Sequence, residues 1–152
     1  MKLLQLLSKT NDSAAPLLAR LTLGLVMFPH GAQKALGWFG GYGYTGTMGY
    51  FTGTLHIPAL FAFLAIAAEF AGALALITGL FSRVAAFGIA SVMAVAISMH
   101  YANGFFMNWT GQQKGEGIEY HLLALGLALI VIIYGAGKAS LDRLIAQRVY
   151  SE

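Results

Sequence analysis

The stretch IPALFAFLAIAAEFAGALALITGL, residues 57–80, decides the fold, because it is apolar along its length apart from one carboxylate, Glu69. A membrane-crossing helix needs roughly 20 mostly apolar residues, and this stretch meets that requirement. An ionisable group inside a membrane is costly and usually marks a functional site or a buried partner. The residues that share a helical face with Glu69 are small, which favours close packing against another helix. They are Ala62, Ala65, Gly72 and Ala73.

The composition outside this stretch extends the membrane interpretation to the whole chain. Of the 152 residues, 58% are hydrophobic and only 10% are charged, whereas an average soluble domain carries about 25% charged residues. The net charge of +3 comes without a basic cluster, which excludes nucleic acid as a partner. The chain has no cysteine, which excludes dithiol redox chemistry, thiolate metal sites and disulfides.

Four segments are apolar and long enough to predict membrane spans, at about residues 15–36, 57–80, 84–102 and 118–137. The predicted fold class is all-α: an integral membrane four-helix bundle that forms a single domain over residues 1–152. Most cationic residues outside the spans lie before the first, between the second and third, and after the fourth; they are Lys2, Lys9, Arg83, Lys138, Arg143 and Arg148. Positive residues mark the cytoplasmic side, so both termini are predicted to be cytoplasmic.

Two connecting segments have their own predicted structure. Residues 37–54, rich in glycine and aromatic residues, are expected at the outer surface, with a short helix at about 45–55. The tail, residues 138–152, is predicted to form a cytoplasmic amphipathic helix on the membrane surface or to remain a solvated terminus. In the helical alternative, Leu141, Leu144 and Ile145 face the membrane.

The first span carries the groups that could pair with Glu69. Arg20 lies toward its inner end, whereas Lys34 lies toward its outer end, one helical turn beyond His30. With a rise of ~1.5 Å per residue, Glu69 is roughly equally far from both ends, so the sequence leaves its cationic partner open. Arg20 and Glu69 are candidates for a structural ion pair that fixes helix register. The same Glu69 is also a candidate for ligand binding or proton handling.

Other polar residues are predicted to meet at the outer end of the bundle. The candidates for ligand binding or proton handling are His30, Lys34, Glu69, His100, Glu119, Tyr120 and His121. A quinone head group needs one or two hydrogen-bond donors in an aromatic, apolar cleft, and histidine with carboxylate suits proton exchange. The sequence contains no dense metal-ligand motif, so no metal is assigned. No residue is assigned as catalytic.

Three segments resemble, in order, the signatures of the DoxX family of small bacterial membrane proteins. They are LLARLTLGLVMFPHGAQKALGWFGG at 17–41, AAEFAGALALITGLFSRVAA at 67–86, and NGFFMNWTGQQKGEGIEYHLLALGLALIVIIYGAGKASLDRLI at 103–145. The resemblance implies a four-helix protein of the bacterial inner membrane. It also implies relatives among subunits of a thiosulfate:quinone oxidoreductase and among partners of redox-stress systems. The positions that it carries over are Arg20, His30, Lys34, Glu69, Glu119 and His121.

Three functions from different classes fit these observations. The first is a redox-associated, quinone-linked oxidoreductase subunit that binds a quinone-like or other lipophilic small molecule near the outer leaflet. The second is a non-enzymatic scaffold or assembly partner of a redox-stress complex. The third is a small proton-coupled transporter with Glu69 as its coupling carboxylate. The predicted partners are the lipid bilayer and either further copies of the chain or other membrane redox subunits.

Overall fold

The structure, a computed structural model, describes residues 8–150 and is helical, without strands, over that range. Its α-helices are α1 (Ala14–Leu36), α2 (Gly43–Gly49), α3 (Ala59–Thr78), α4 (Ser82–His100), α5 (Glu119–Tyr134) and α6 (Leu141–Tyr150). A π-helical turn, Tyr50–Thr54, follows α2, so the predicted short outer helix begins two residues earlier and changes its winding. Lys2 and the last two residues of the predicted tail lie outside the described residues.

The four longer helices α1, α3, α4 and α5 pack around a common apolar core. Helix α1 packs against α3, α3 against α4, α4 against α5, and α5 against α1. Buried apolar side chains from all four fill the centre, among them Leu23, Leu76, Ile89 and Val131. Two helical stretches, Ala59–Thr78 and Ser82–Asn103, are long and apolar enough to cross a membrane, and α5 is apolar but shorter, with 16 residues.

Proline and glycine set several helix limits inside the predicted spans. Pro58, with an extended ψ of 138°, precedes the first residue of α3, and Gly79, with φ of 71°, terminates it. Gly135, with φ of 83°, ends α5 at Tyr134, three residues short of the predicted limit at 137. The positive φ values at Gly79 and Gly135 suit glycine and cannot continue an α-helix.

Helices α1 and α3 approach each other closely because α1 has glycine, which lacks a side chain, at two positions of their contact. A Cβ atom at Gly31 would lie 2.5 Å from the Cα of Phe70 and 2.6 Å from the carbonyl carbon of Glu69. At Gly24, a Cβ atom would lie 3.0 Å from the carbonyl oxygen of Ala73. Small residues allow such backbone approach between membrane helices. The contact at Gly31 therefore fixes the level of Glu69 against α1.

Arg20 joins three parts of the chain at one end of the molecule, which we call the Arg20 end. Its guanidinium donates to Leu76 O and Ile77 O at the end of α3, at 2.7 and 2.8 Å. It also donates to three carbonyls in the segment between α5 and α6: Ala136 at 2.8 Å, Lys138 at 3.4 Å and Ala139 at 2.6 Å. An arginine has five N–H donors, so the side chain, 1% exposed, is fully satisfied by backbone.

A second buried polar group, Asp142 of α6, fixes the start of α4. Its carboxylate accepts hydrogen bonds from the backbone N–H of Phe81 at 2.7 Å and of Ser82 at 2.9 Å. Carboxylates are favourable at a helix N-terminus because they satisfy unpaired N–H groups and complement the helix dipole. This contact explains why α4 begins at Ser82, two residues before the predicted span, and why the tail helix docks on the Arg20 end.

Candidate functional site

Glu69 forms an ion pair with Lys34 rather than with Arg20. The Nζ atom of Lys34 lies 2.5 Å from Oε2 of Glu69, and the two side chains are 28% and 5% exposed, respectively. Arg20, the other cationic candidate for this carboxylate, uses its guanidinium on backbone carbonyls instead. The sequence left the choice between these cations open, and the structure pairs the carboxylate with Lys34.

Histidine and tyrosine side chains from three helices contact one another beside this ion pair, and we call them the histidine cluster: His30 of α1, His100 of α4, and Tyr120 and His121 of α5. The ring centroids of His30 and Tyr120 are 5.9 Å apart, and those of Tyr120 and His121 are 5.6 Å apart. His100 stacks on His121 with a centroid separation of 5.3 Å. Glu69 is close enough to interact electrostatically with both His30 and Tyr120. All four long helices therefore contribute to one polar assembly.

Two polar atoms in the histidine cluster are poorly satisfied within the protein. His121 is 8% exposed, and its Nδ1 atom is buried without a well-formed hydrogen bond, although the Gly117 backbone lies close to the ring. The hydroxyl of Tyr120 donates to the thioether sulfur of Met27 at 3.3 Å, and a thioether is a weak acceptor. Buried polar groups are normally hydrogen-bonded, and exceptions are frequent at functional sites. These two atoms could hydrogen-bond to a carbonyl or hydroxyl group of a ligand.

The histidine cluster comes nearest to the surface along the contact between α1 and α5. Among the four neighbouring pairs of long helices, α1 and α5 pack least extensively. His30 is exposed at this seam, whereas Tyr120 is half-buried beneath it. Pro29 lies inside α1 beside His30, where its missing N–H interrupts the helical hydrogen-bond ladder. The seam is therefore the least constrained route from the surrounding medium to Tyr120.

Glu119, also predicted as a site residue, is committed to the connection between α4 and α5. Its Oε1 atom accepts hydrogen bonds from the backbone N–H of Met107 at 3.2 Å and from Nε1 of Trp109 at 2.8 Å. Glu116 similarly accepts from the backbone N–H of Asn108 at 2.9 Å. These carboxylates hold the loop in shape, and Glu119 makes no hydrogen bond to the histidine cluster.

Some important residues were missed by sequence reasoning. Met27 has no sequence signal, because its sulfur gains a role only once Tyr120 lies against it. Asp142 had a sequence signal, a lone acid among basic residues in an amphipathic tail, but its target is 60 residues away. Within residues 8–150, no group of three or more potential ligand side chains is placed to hold a metal ion.

Two open surface clefts lie away from the histidine cluster, at the Arg20 end. One is lined by the end of α3 and by α6, and the other by Lys9, Thr10 and α6. A ring-shaped ligand at Tyr120 and His121 would therefore have to separate α1 from α5 locally.

Comparison with family models gives one result, a match of residues 15–108 to the DoxX family. The matched region contains Arg20, His30, Lys34, Glu69 and His100, and it ends before Tyr120 and His121. No curated protein and no solved structure matches the chain.

Proposed function

The chain belongs to the DoxX family of membrane proteins, and on that premise we propose a specific arrangement and role. It is a multi-pass protein of the bacterial inner membrane, a four-helix bundle of α1, α3, α4 and α5 with both termini in the cytoplasm. It acts as a redox-associated subunit that binds a quinone-like or other lipophilic small molecule at the histidine cluster, near the outer leaflet.

The charge distribution supports this orientation. The described cationic residues at the Arg20 end are Lys9, Arg20, Arg83, Lys138, Arg143 and Arg148. At the other end, the loop before α5 has Lys114 together with Glu116 and Glu119. Cytoplasmic loops of membrane proteins carry the excess of lysine and arginine. This charge distribution supports a cytoplasmic position for the Arg20 end and an outer-leaflet position for the histidine cluster.

The observation that carries the proposed ligand is the pair of poorly satisfied polar atoms, the Tyr120 hydroxyl and His121 Nδ1, beside a buried carboxylate. A quinone head group presents carbonyl oxygens to hydrogen-bond donors and a flat apolar ring to aromatic side chains. Tyr120 can exchange its thioether acceptor for such an oxygen, and this exchange favours binding because a carbonyl is the better acceptor.

Proton handling at this site follows from the residues themselves. Quinone reduction consumes two electrons and two protons, and we propose that a partner redox subunit supplies the electrons. His100 is half-buried and stacks on the buried His121, which lies next to Tyr120. Histidine gains and loses protons near neutral pH, so these imidazoles can hold or release a proton beside the ligand.

Quinone binding by the purified protein tests the proposal. The full-length protein is extracted in mild detergent, assayed for co-purified quinone, and titrated with a short-chain ubiquinone or menaquinone. Tyr120→Phe and His121→Ala should each weaken binding by about threefold to tenfold, the value of one hydrogen bond. The matched control is His56→Asn, because His56 is exposed and outside the histidine cluster. Unchanged titration curves in both cluster variants would refute the proposal.

The scaffold alternative is favoured by one observation, the exposed aromatic side chains at the outer end. Tyr42, Phe106 and Trp109 are 87%, 68% and 81% exposed, respectively. If these rings dock a partner subunit, serine substitutions at all three should abolish co-purification with that subunit while leaving quinone binding intact. Retained co-purification would exclude this surface as the docking site.

A further inference from the structure

A cleft of about 380 Å³ lies at the Arg20 end, between the end of α3 and the tail helix α6. Its polar lining includes Thr78, Ser140, Arg143 and Gln147, and its apolar lining includes Leu141 and Leu144. Leu141 and Leu144 are 40% and 55% exposed and lie three residues apart on one face of α6. The cleft therefore combines groups that can bind a polar head with a surface that suits a hydrocarbon chain.

Two cations, Arg143 in the lining and Lys138 beside it, lie at the cleft, and the carboxylate of Asp12 balances the first of them. The Arg143 guanidinium makes two hydrogen bonds to Asp12, at 2.7 and 3.1 Å, and its side chain is still 35% exposed. Lys138 is exposed on the connection that leads into α6. Asp142 is 1% exposed and bound to the start of α4, so its charge is withdrawn from this surface.

We propose that this cleft binds the phosphate head group of an anionic phospholipid from the cytoplasmic leaflet, with an acyl chain against Leu141 and Leu144. Cationic clusters immediately cytoplasmic of membrane helices attract acidic lipids. The proposal uses the membrane orientation given above, but it does not depend on quinone binding at the histidine cluster.

Occupation of this cleft has a structural consequence. The segment that borders the cleft also holds the Ala139 carbonyl that accepts from Arg20, and α6 supplies Asp142 to α4. A lipid bridging the end of α3 and α6 would bind the folded protein and not the unfolded chain. By mass action it would raise the unfolding temperature. The tail would then be anchored to the bundle in membranes that contain acidic lipid.

The test measures the unfolding temperature of the full-length protein in neutral detergent, titrated with phosphatidylglycerol or phosphatidylcholine. Phosphatidylglycerol alone should stabilise the protein, and the midpoint of its effect should shift about fivefold in Lys138→Gln, the expected contribution of one surface cation. Lys114→Gln, which removes an exposed cation from the outer loop, is the matched control. Equal stabilisation by both lipids, or an equal shift in the control, would overturn the proposal.

Two further experiments distinguish lipid binding in the cleft from attraction to general surface charge and from binding of free phosphate. Thr78→Phe narrows the cleft and Leu144→Ser removes an acyl contact, and neither changes the charge. Each should weaken the stabilisation by phosphatidylglycerol. If Thr78→Phe does not fold, Leu144→Ser still provides the test. If both fold and retain the full effect, the cleft is not the site. If inorganic phosphate reproduces the stabilisation at the same concentration, the lipid assignment is wrong.

Discussion

Replacing Lys34 should destabilise the protein more than replacing Glu69, although the two residues form one ion pair. In Lys34→Met the Glu69 carboxylate, 5% exposed, would remain as an unpaired buried charge. Breaking a buried pair in this way typically costs ~3–5 kcal/mol. In Glu69→Leu the remaining lysine side chain is 28% exposed and can extend its ammonium group toward water. We expect the free energy of unfolding of Glu69→Leu to fall by about half as much, ~1.5–2.5 kcal/mol.

The double variant Lys34→Met, Glu69→Leu completes the thermodynamic cycle. Apolar residues of similar volume often replace a buried ion pair without loss of stability, so the double variant should recover to within ~1 kcal/mol of the wild type. The free energy of unfolding is measured by denaturant titration in detergent micelles, followed by circular dichroism. The Asp12–Arg143 pair, with side chains 61% and 35% exposed, is the matched control, and its removal should cost only ~0–1 kcal/mol.

Two outcomes would refute this reasoning about burial. One is a loss of unfolding free energy in Glu69→Leu that equals or exceeds the loss in Lys34→Met. The other is a double variant no more stable than Lys34→Met. If the double variant recovers its stability but loses quinone binding, then the pair acts on the ligand as well as in packing.

Three further substitutions test the contacts that position the site. Gly31→Ala should destabilise the protein by more than ~2 kcal/mol, because its new methyl group would meet the α3 backbone at Phe70. The control Gly126→Ala has open space around it and should be neutral or stabilising by up to ~1 kcal/mol in the same denaturant titration. Arg20→Met should cost at least ~3 kcal/mol, because it leaves buried carbonyls without donors, and a loss below ~1 kcal/mol would contradict the saturated hydrogen bonding. Asp142→Ala should cost ~1–2 kcal/mol and increase hydrogen exchange at the start of α4, because the first N–H groups of that helix lose their acceptor; unchanged exchange there would rule out the cap.

Hydropathy predicted α3, α4 and α5 because each is a nearly unbroken apolar run, and two helical stretches, Ala59–Thr78 and Ser82–Asn103, are long and apolar enough to cross a membrane. Helix α1 is interrupted by Arg20, His30 and Lys34 and is the least apolar of the four. Their limits were less predictable, since these depend on backbone conformations at Pro58, Gly79 and Gly135 and on a cap from a distant residue. A carboxylate 60 residues away in sequence leaves no local pattern at Ser82. Fold class therefore follows from composition and periodicity, whereas helix ends follow partly from tertiary contacts.

The partner of Glu69 could not be predicted, because the axial offset between α1 and α3 is set by contact rather than by helix rise. Gly31 lets the two backbones meet at the level of Glu69, and Lys34 lies one turn farther along α1. Arg20 was also difficult to assign from sequence, because its acceptors are backbone carbonyls, which every residue has. The cluster of histidines at the outer end was the more predictable feature, since it depends only on which helix ends share a side of the bundle.

The five hydrogen bonds of Arg20 have a consequence for how the protein is made. Two of the acceptors belong to α3, but the other three come from residues 136–139. A ribosome-bound chain that has not reached this segment holds a guanidinium with only part of its donors satisfied. The Arg20 end can close only after residues 136–139 have been synthesised. A product that stops before residue 136 would leave three of the five N–H donors of Arg20 without these acceptors.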